Sequence, residues 1–138
     1  MILKVNDYKF YCIETPGHTA GHMCLYEPEK KILISGDHLL FDISPNVSQW
    51  FEDSNPLDDY IQSLDKIYNL DVELVLPGHK AVFKNNKERV QELKSHHQIR
   101  IDEVLSILKN RDMDAYQVAS EMEWDIPFKN WDLFPARG

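Results

Sequence analysis

Three of the five glycines in this 138-residue chain both close a β run and stand directly before a side chain that can bind a metal ion: Gly17-His18, Gly36-Asp37 and Gly78-His79. Each pair follows a run of β-forming residues, namely Tyr8–Glu14, Lys31–Ser35 and Val72–Leu76. A glycine lets the chain bend sharply as it leaves a sheet, so the next side chain can reach over the sheet's edge. Three such exits on one edge would gather two imidazoles and one carboxylate. Borderline metals such as zinc take that donor set. Any one pair taken alone reads as an ordinary turn; the three in series point to a site.

The remaining histidines fit that site less well. His22 opens a strand four residues past His18 and reads as a packing residue or one that supports a ligand from behind. His38 follows Asp37, so in an extended segment it points away from the metal edge. His96 and His97 lie about 100° apart on a helix, so at most one of them faces any given pocket. His97 falls on the apolar stripe and reads as a core histidine. His96, beside Arg100, is a weak candidate for substrate binding.

The elements that must position these groups are legible from periodicity. Ile2–Val5 and Tyr8–Glu14 flank Asn6-Asp7 as a hairpin, and His22–Glu27 and Lys31–Ser35 flank a turn at Pro28-Glu29-Lys30. After Asp37 an irregular stretch rich in Pro, Asn and Ser runs to Asn55. Leu57, Ile61, Leu64 and Ile67-Tyr68 then recur at helical spacing, with Asn55-Pro56 as the start signal. From Lys87 to Asn110, Val90, Leu93, His97, Ile101, Val104, Leu105 and Leu108 draw one long apolar stripe. A break at Asn110–Asp112 precedes a shorter helix through Ala115, Val118, Ala119 and Met122. Strands alternating with helices give an α/β (α+β) class, followed by a small helical module.

Composition narrows the function. With 43% hydrophobic and 28% charged residues the chain suits one globular domain, and no apolar run approaches the ~18 residues of a membrane span. No signal peptide opens it, so the expected compartment is the cytoplasm, and Cys12 and Cys24 read as free thiols. The net charge of -8 argues against a nucleic-acid binder. It is uneven: residues 80–111 hold 8 basic and 4 acidic side chains, which either form a solvated helix face or attract an anionic substrate.

The words around the three pairs are specific. Thr15-Pro16-Gly17-His18-Thr19-Ala20-Gly21-His22, then Ser35-Gly36-Asp37, then Leu76-Pro77-Gly78-His79 resemble, in order, the last three metal motifs of the metallo-β-lactamase-fold hydrolases. The likeness is closest to the glyoxalase-like and thioesterase-like branch. The resemblance implies His18 on one metal, His79 on the other, and Asp37 bridging both. The implied metal is zinc, with iron or manganese as alternatives. It further implies half of an αββα sandwich over residues 1–86 and an incomplete, winged-helix-like helical appendage over 87–138.

The family's opening His-x-His-x-Asp-His motif, which supplies the remaining ligands, is absent from this sequence. The chain is therefore expected to be a fragment that is inactive alone, with the tail around Trp131 and Phe134 awaiting a partner helix. In the intact family the chemistry is attack of metal-activated hydroxide on a thioester, ester, amide or phosphoester. Two other readings stand beside it: a non-catalytic binding or regulatory fragment, and a nucleic-acid-processing family member. The expected partners are a small-molecule substrate, no membrane, and either a second copy or the missing N-terminal half. An apolar sheet face carrying Tyr11, Ile13, Leu25, Ile32 and Ile34 would drive that association. The long helix is expected on the opposite face, through Val90, Leu93 and Ile101.

Overall fold

The computed structural model describes residues 1–49 and 51–124. Its first eighty residues contain strands β1 (Ile2–Val5), β2 (Tyr8–Glu14), β3 (Met23–Glu27) and β4 (Ile32–Gly36), helix α1 (Pro56–Tyr68) and strand β5 (Leu74–Pro77). Helices α2 (Asn86–Leu108) and α3 (Ala115–Glu121) follow. The tail holding Trp131, Phe134 and Pro135 lies outside the described residues. The chain divides into two compact units, Met1–Lys94 and Ser95–Gly138, with the first turns of α2 belonging to the first.

In the first unit the five strands pair in sequence order, antiparallel from β1 to β4 and parallel between β4 and β5. The hairpin turns carry Asn6 at φ 51 and Lys31 at φ 53, the left-handed positions that tight reversals demand. Helix α1 starts as its sequence dictates. Asn55 caps it by accepting from the Asp58 amide at 3.3 Å, and Pro56 occupies the first turn.

Cross-strand register decides which residues face the helix. Ile13 pairs with Cys24, Tyr11 with Tyr26, Tyr26 with Leu33, and Leu33 with Val75, so all of these share one face. There all but the exposed Tyr11 meet Tyr60, Leu64 and Ile67 of α1 and Val90 and Leu93 of α2 in a single core. The opposite face carries Leu3, Val5, Tyr8, Phe10, Cys12, Leu25, Ile34 and Leu76.

Two expectations are corrected here. Tyr11 and Ile13 do not share a face with Leu25, Ile32 and Ile34; they stand on the helix side, and Phe10 and Cys12 take their place. Ile101 does not continue the packing of Val90 and Leu93: it falls in the second unit and is exposed. A stripe read at a fixed repeat drifts around the helix axis over 23 residues.

The second unit, taken by itself, is laced by polar contacts. Arg100 donates to Glu103 and to the Glu123 carbonyl and lies 4.4 Å over the Trp124 ring. Arg111 pairs with Glu121. Asp114 and Gln117 close a capping box at the start of α3. No helix among the described residues is long and apolar enough to cross a membrane.

Candidate metal centre

Because β2, β4 and β5 run in one direction, their C-terminal ends lie at the same edge of the sheet. Those ends are where His18, Asp37 and His79 leave it, and the three side chains meet. His18 Nε2 is 3.6 Å from Asp37 Oδ2, and His79 Nε2 is 3.3 Å from Asp37 Oδ1. Each imidazole thus faces a different oxygen of one carboxylate. Two donors bonded to a common metal at ~2.1 Å, at angles of 90–110°, stand about 3.0–3.4 Å apart. The observed spacings lie at or just beyond that range.

Further details fit the same purpose. Asp37 Oδ1 is buried and makes no hydrogen bond, although the His79 nitrogen is near. Leaving such an oxygen unpaired costs ~1–3 kcal/mol unless something else satisfies it. A Cβ at Gly78 would stand 2.9 Å from that oxygen, so any other residue there would push the carboxylate from its place. His18 Nδ1 sits 2.7 Å from the Asn46 carbonyl, which fixes the proton on Nδ1 and leaves the Nε2 lone pair facing Asp37. Among the described residues, no group of three or more His, Cys, Asp or Glu side chains is arranged to hold a metal ion as it stands. The arrangement is instead two imidazoles, each beside a different oxygen of one carboxylate.

Behind these three lies a supporting layer. His22 Nδ1 meets Thr15 Oγ1 at 2.8 Å, while its Nε2 would be 2.8 Å from a Cβ on Gly36, which holds φ +53. It therefore sits between the strand exits that carry His18 and Asp37 and is not among the groups touching the carboxylate. Burial, then the neighbouring His18, hold its pKa below the ordinary histidine value. His38 is fully buried on the Tyr60 ring at 5.1 Å, and burial, reinforced by His22, pushes it down to about 3. Neither of its ring nitrogens makes a well-formed hydrogen bond. It is a neutral core residue, pointing away from the edge as its place after Asp37 implies.

His96 lies in the second unit, exposed, with its ring 5.3 Å from the half-buried His97. Nothing in that neighbourhood marks it as a binding group. Asn46 carries no signal in the sequence, because its contact is made by a backbone carbonyl. The α1 residues that secure the exits carry none either: Ser63 Oγ donates to the Pro16 carbonyl at 3.0 Å, and Lys66 Nζ to that of Glu14 at 2.8 Å.

Comparison with known proteins agrees with this geometry. The model of the metallo-beta-lactamase superfamily matches residues 9–79. A beta-lactamase-like protein 2 homolog of Caenorhabditis elegans is 35% identical over 84% of this chain and 37% of its own length. An atrochrysone carboxyl ACP thioesterase of Aspergillus fumigatus is 38% identical over 79% of this chain and 32% of its own. A crystal structure of a metallo-beta-lactamase family protein from Thermus thermophilus superimposes with a TM-score of 0.80. It is 34% identical, covering 86% of this chain and 40% of that one. The chain thus spans between about a third and two-fifths of these relatives. With a matching motif series, five-stranded sheet and shared edge, this chain belongs to the metallo-beta-lactamase superfamily.

Proposed function

We propose that the chain contributes one side of a two-metal hydrolytic centre, with His18 and His79 each binding a different metal and Asp37 bridging them. The bond hydrolysed is a thioester, with ester, amide and phosphoester bonds as the alternatives. The observation that carries the metal reading is the Asp37 carboxylate, whose two oxygens face two different imidazoles while the buried one makes no hydrogen bond. The thioester reading is supported by the relative named as a thioesterase, which is 38% identical to this chain.

Zinc, iron or manganese held by His18, Asp37 and His79 would supply a Lewis acid able to lower the pKa of water and to polarise a carbonyl oxygen. The chain's own residues orient the site. The Asn46 carbonyl holds the His18 tautomer, Gly78 lets the third exit approach the carboxylate, and the neutral His22 and His38 pack behind without adding charge. His79 is 69% exposed and lies on the open side, where a substrate would enter.

One imidazole and one carboxylate oxygen per metal fall short of the three or four protein ligands usual for zinc. The 138 residues alone should therefore take up zinc weakly and incompletely and hydrolyse little. Elemental analysis after dialysis, and turnover of an acyl thioester, measure this. Asp37→Asn should lower uptake at both half-sites, whereas His79→Ala should leave the His18 half-site. Uptake unchanged in Asp37→Asn would overturn the metal assignment. A fully occupied centre with robust turnover in this chain alone would overturn the reading that it is only one side of the site.

A further inference from the structure

Tyr60 of α1 stands where the loops carrying His18 and Asp37 both come against the helix. It is fully buried. A Cβ on Gly17 would be 2.5 Å from the Tyr60 Cβ and 2.7 Å from its Cα, so the first strand exit runs directly over the root of this side chain. Gly17 holds φ +137, a conformation that other residues rarely adopt, so the close crossing is built into the backbone. At the far end of the same side chain, the Tyr60 hydroxyl donates to the His38 carbonyl at 3.0 Å. That carbonyl belongs to the residue after Asp37. Between these two ends the ring lies edge-on to the His38 imidazole.

A tyrosine side chain turns about two torsions and is otherwise rigid. Packed at its root and bonded at its tip, it acts as a spacer of fixed length between the Gly17 backbone and the His38 carbonyl. His18 is one residue beyond the first point and Asp37 one residue before the second. Ser63 and Lys66, one and two turns further along the helix, anchor only the first exit, through Pro16 and Glu14. His22 braces the same two exits through Thr15 and Gly36.

We propose that Tyr60 is a positioning residue for the metal centre: its ring and hydroxyl set the distance between His18 Nε2 and Asp37 Oδ2. This inference rests on reading His18, Asp37 and His79 as metal ligands. A ligand set tolerates errors of about 0.5 Å, and losing a group that orients a ligand typically costs about 10–100-fold in metal affinity.

The test compares the full chain with Tyr60→Phe, which removes the hydroxyl alone, and with Ile67→Val, which removes buried volume from the same helix without removing a hydrogen-bonding group. Zinc affinity is measured by competition with a chromophoric chelator, and the metal-free forms are solved crystallographically. Tyr60→Phe should bind zinc at least about tenfold more weakly. Its metal-free structure should move His18 Nε2 from Asp37 Oδ2 by about 0.5 Å or more relative to the parent. Ile67→Val should change neither.

An unchanged spacing in Tyr60→Phe, zinc affinity equal to the parent's, or equal losses in Ile67→Val would each overturn the proposal. If the parent chain takes up no zinc, the metal-ligand reading fails. The metal-free spacing then decides by itself whether Tyr60 positions these two side chains.

Discussion

A buried polar atom with no partner asks for an explanation, and Asp37 Oδ1 has one in its surroundings: an imidazole nitrogen in reach, unaligned for a hydrogen bond, at an open sheet edge. Cys24 shows the opposite environment. Its thiol is fully buried, held between Thr15 Oγ1 at 3.4 Å and the Ser35 carbonyl at 3.5 Å. Burial pushes its pKa from 9.0 to about 12. Below about pH 9 both the folded and the unfolded chain keep this proton, so it adds no pH dependence there. As pH rises from about 9 towards 12 the unfolded chain loses the proton first, and stability falls by at most about 4 kcal/mol. A thiol-disulfide reagent at about pH 8 should therefore reach Cys24 only after denaturation. Early reaction at Cys24 would contradict this environment. At this scale the three edge residues were visible in the letters, since a repeated Gly-ligand pair is a local pattern. Tyr60 and the Asn46 carbonyl were hidden, because their contacts span 22 and 28 positions and leave no such pattern.

Strands and helices were legible in number, type and order, with ends displaced by a residue or two. The face assignment of β2 was not. Tyr8–Glu14 is apolar at Phe10 and Cys12 as well as at Tyr11 and Ile13, so a period of two does not say which set turns inward. Only pairing with β3 decides it, and that is a long-range fact. Helix α2 carries the same lesson along its length. Val90 and Leu93 are 0% and 2% exposed, whereas Ile101 is 37% exposed. Leu93→Ala should cost ~2–5 kcal/mol in chemical denaturation, and Ile101→Ala no more than ~1 kcal/mol. Comparable losses at the two positions would mean that α2 buries a continuous stripe after all. At the start of α1, Asn55→Ala should cost ~1 kcal/mol, the usual value of a capping side chain.

For the molecule as a whole, the face of the sheet away from α1 is its most consequential surface. Leu3, Val5, Tyr8 and Met23 are each 38–48% exposed there, and Phe10, Cys12, Leu25, Ile34 and Leu76 extend the patch as half-buried neighbours. Contiguous apolar surface of this kind is rare on a soluble monomer, and its burial is worth ~25 cal/mol per Å². The chain at micromolar concentration is expected to self-associate through this face, most simply as a two-fold dimer. Sedimentation velocity measures this, and Leu25→Lys, at the centre of the face, should shift the population towards monomer. A parent chain that sediments as a monomer without binding an apolar dye would mean the face is covered in another way.

The single parallel pairing in the sheet also fixes an order of events. Strands β1 to β4 join through connections of two, eight and four residues, so each can zip onto its predecessor after closing a short stretch of chain. The β4–β5 pair is different: 42 positions separate Asp37 from His79, and α1 must form and cross the sheet before the two strands can lie side by side. Contacts of such long range form late and slow a folding reaction. His18 and Asp37 should thus find each other while His79 is still undocked, and the centre matures in two stages. Pulse-labelled hydrogen exchange during refolding should protect the amide of Thr15, bonded to the His22 carbonyl beside β2 and β3, before that of Gly78, bonded to the Gly36 carbonyl across the parallel pair.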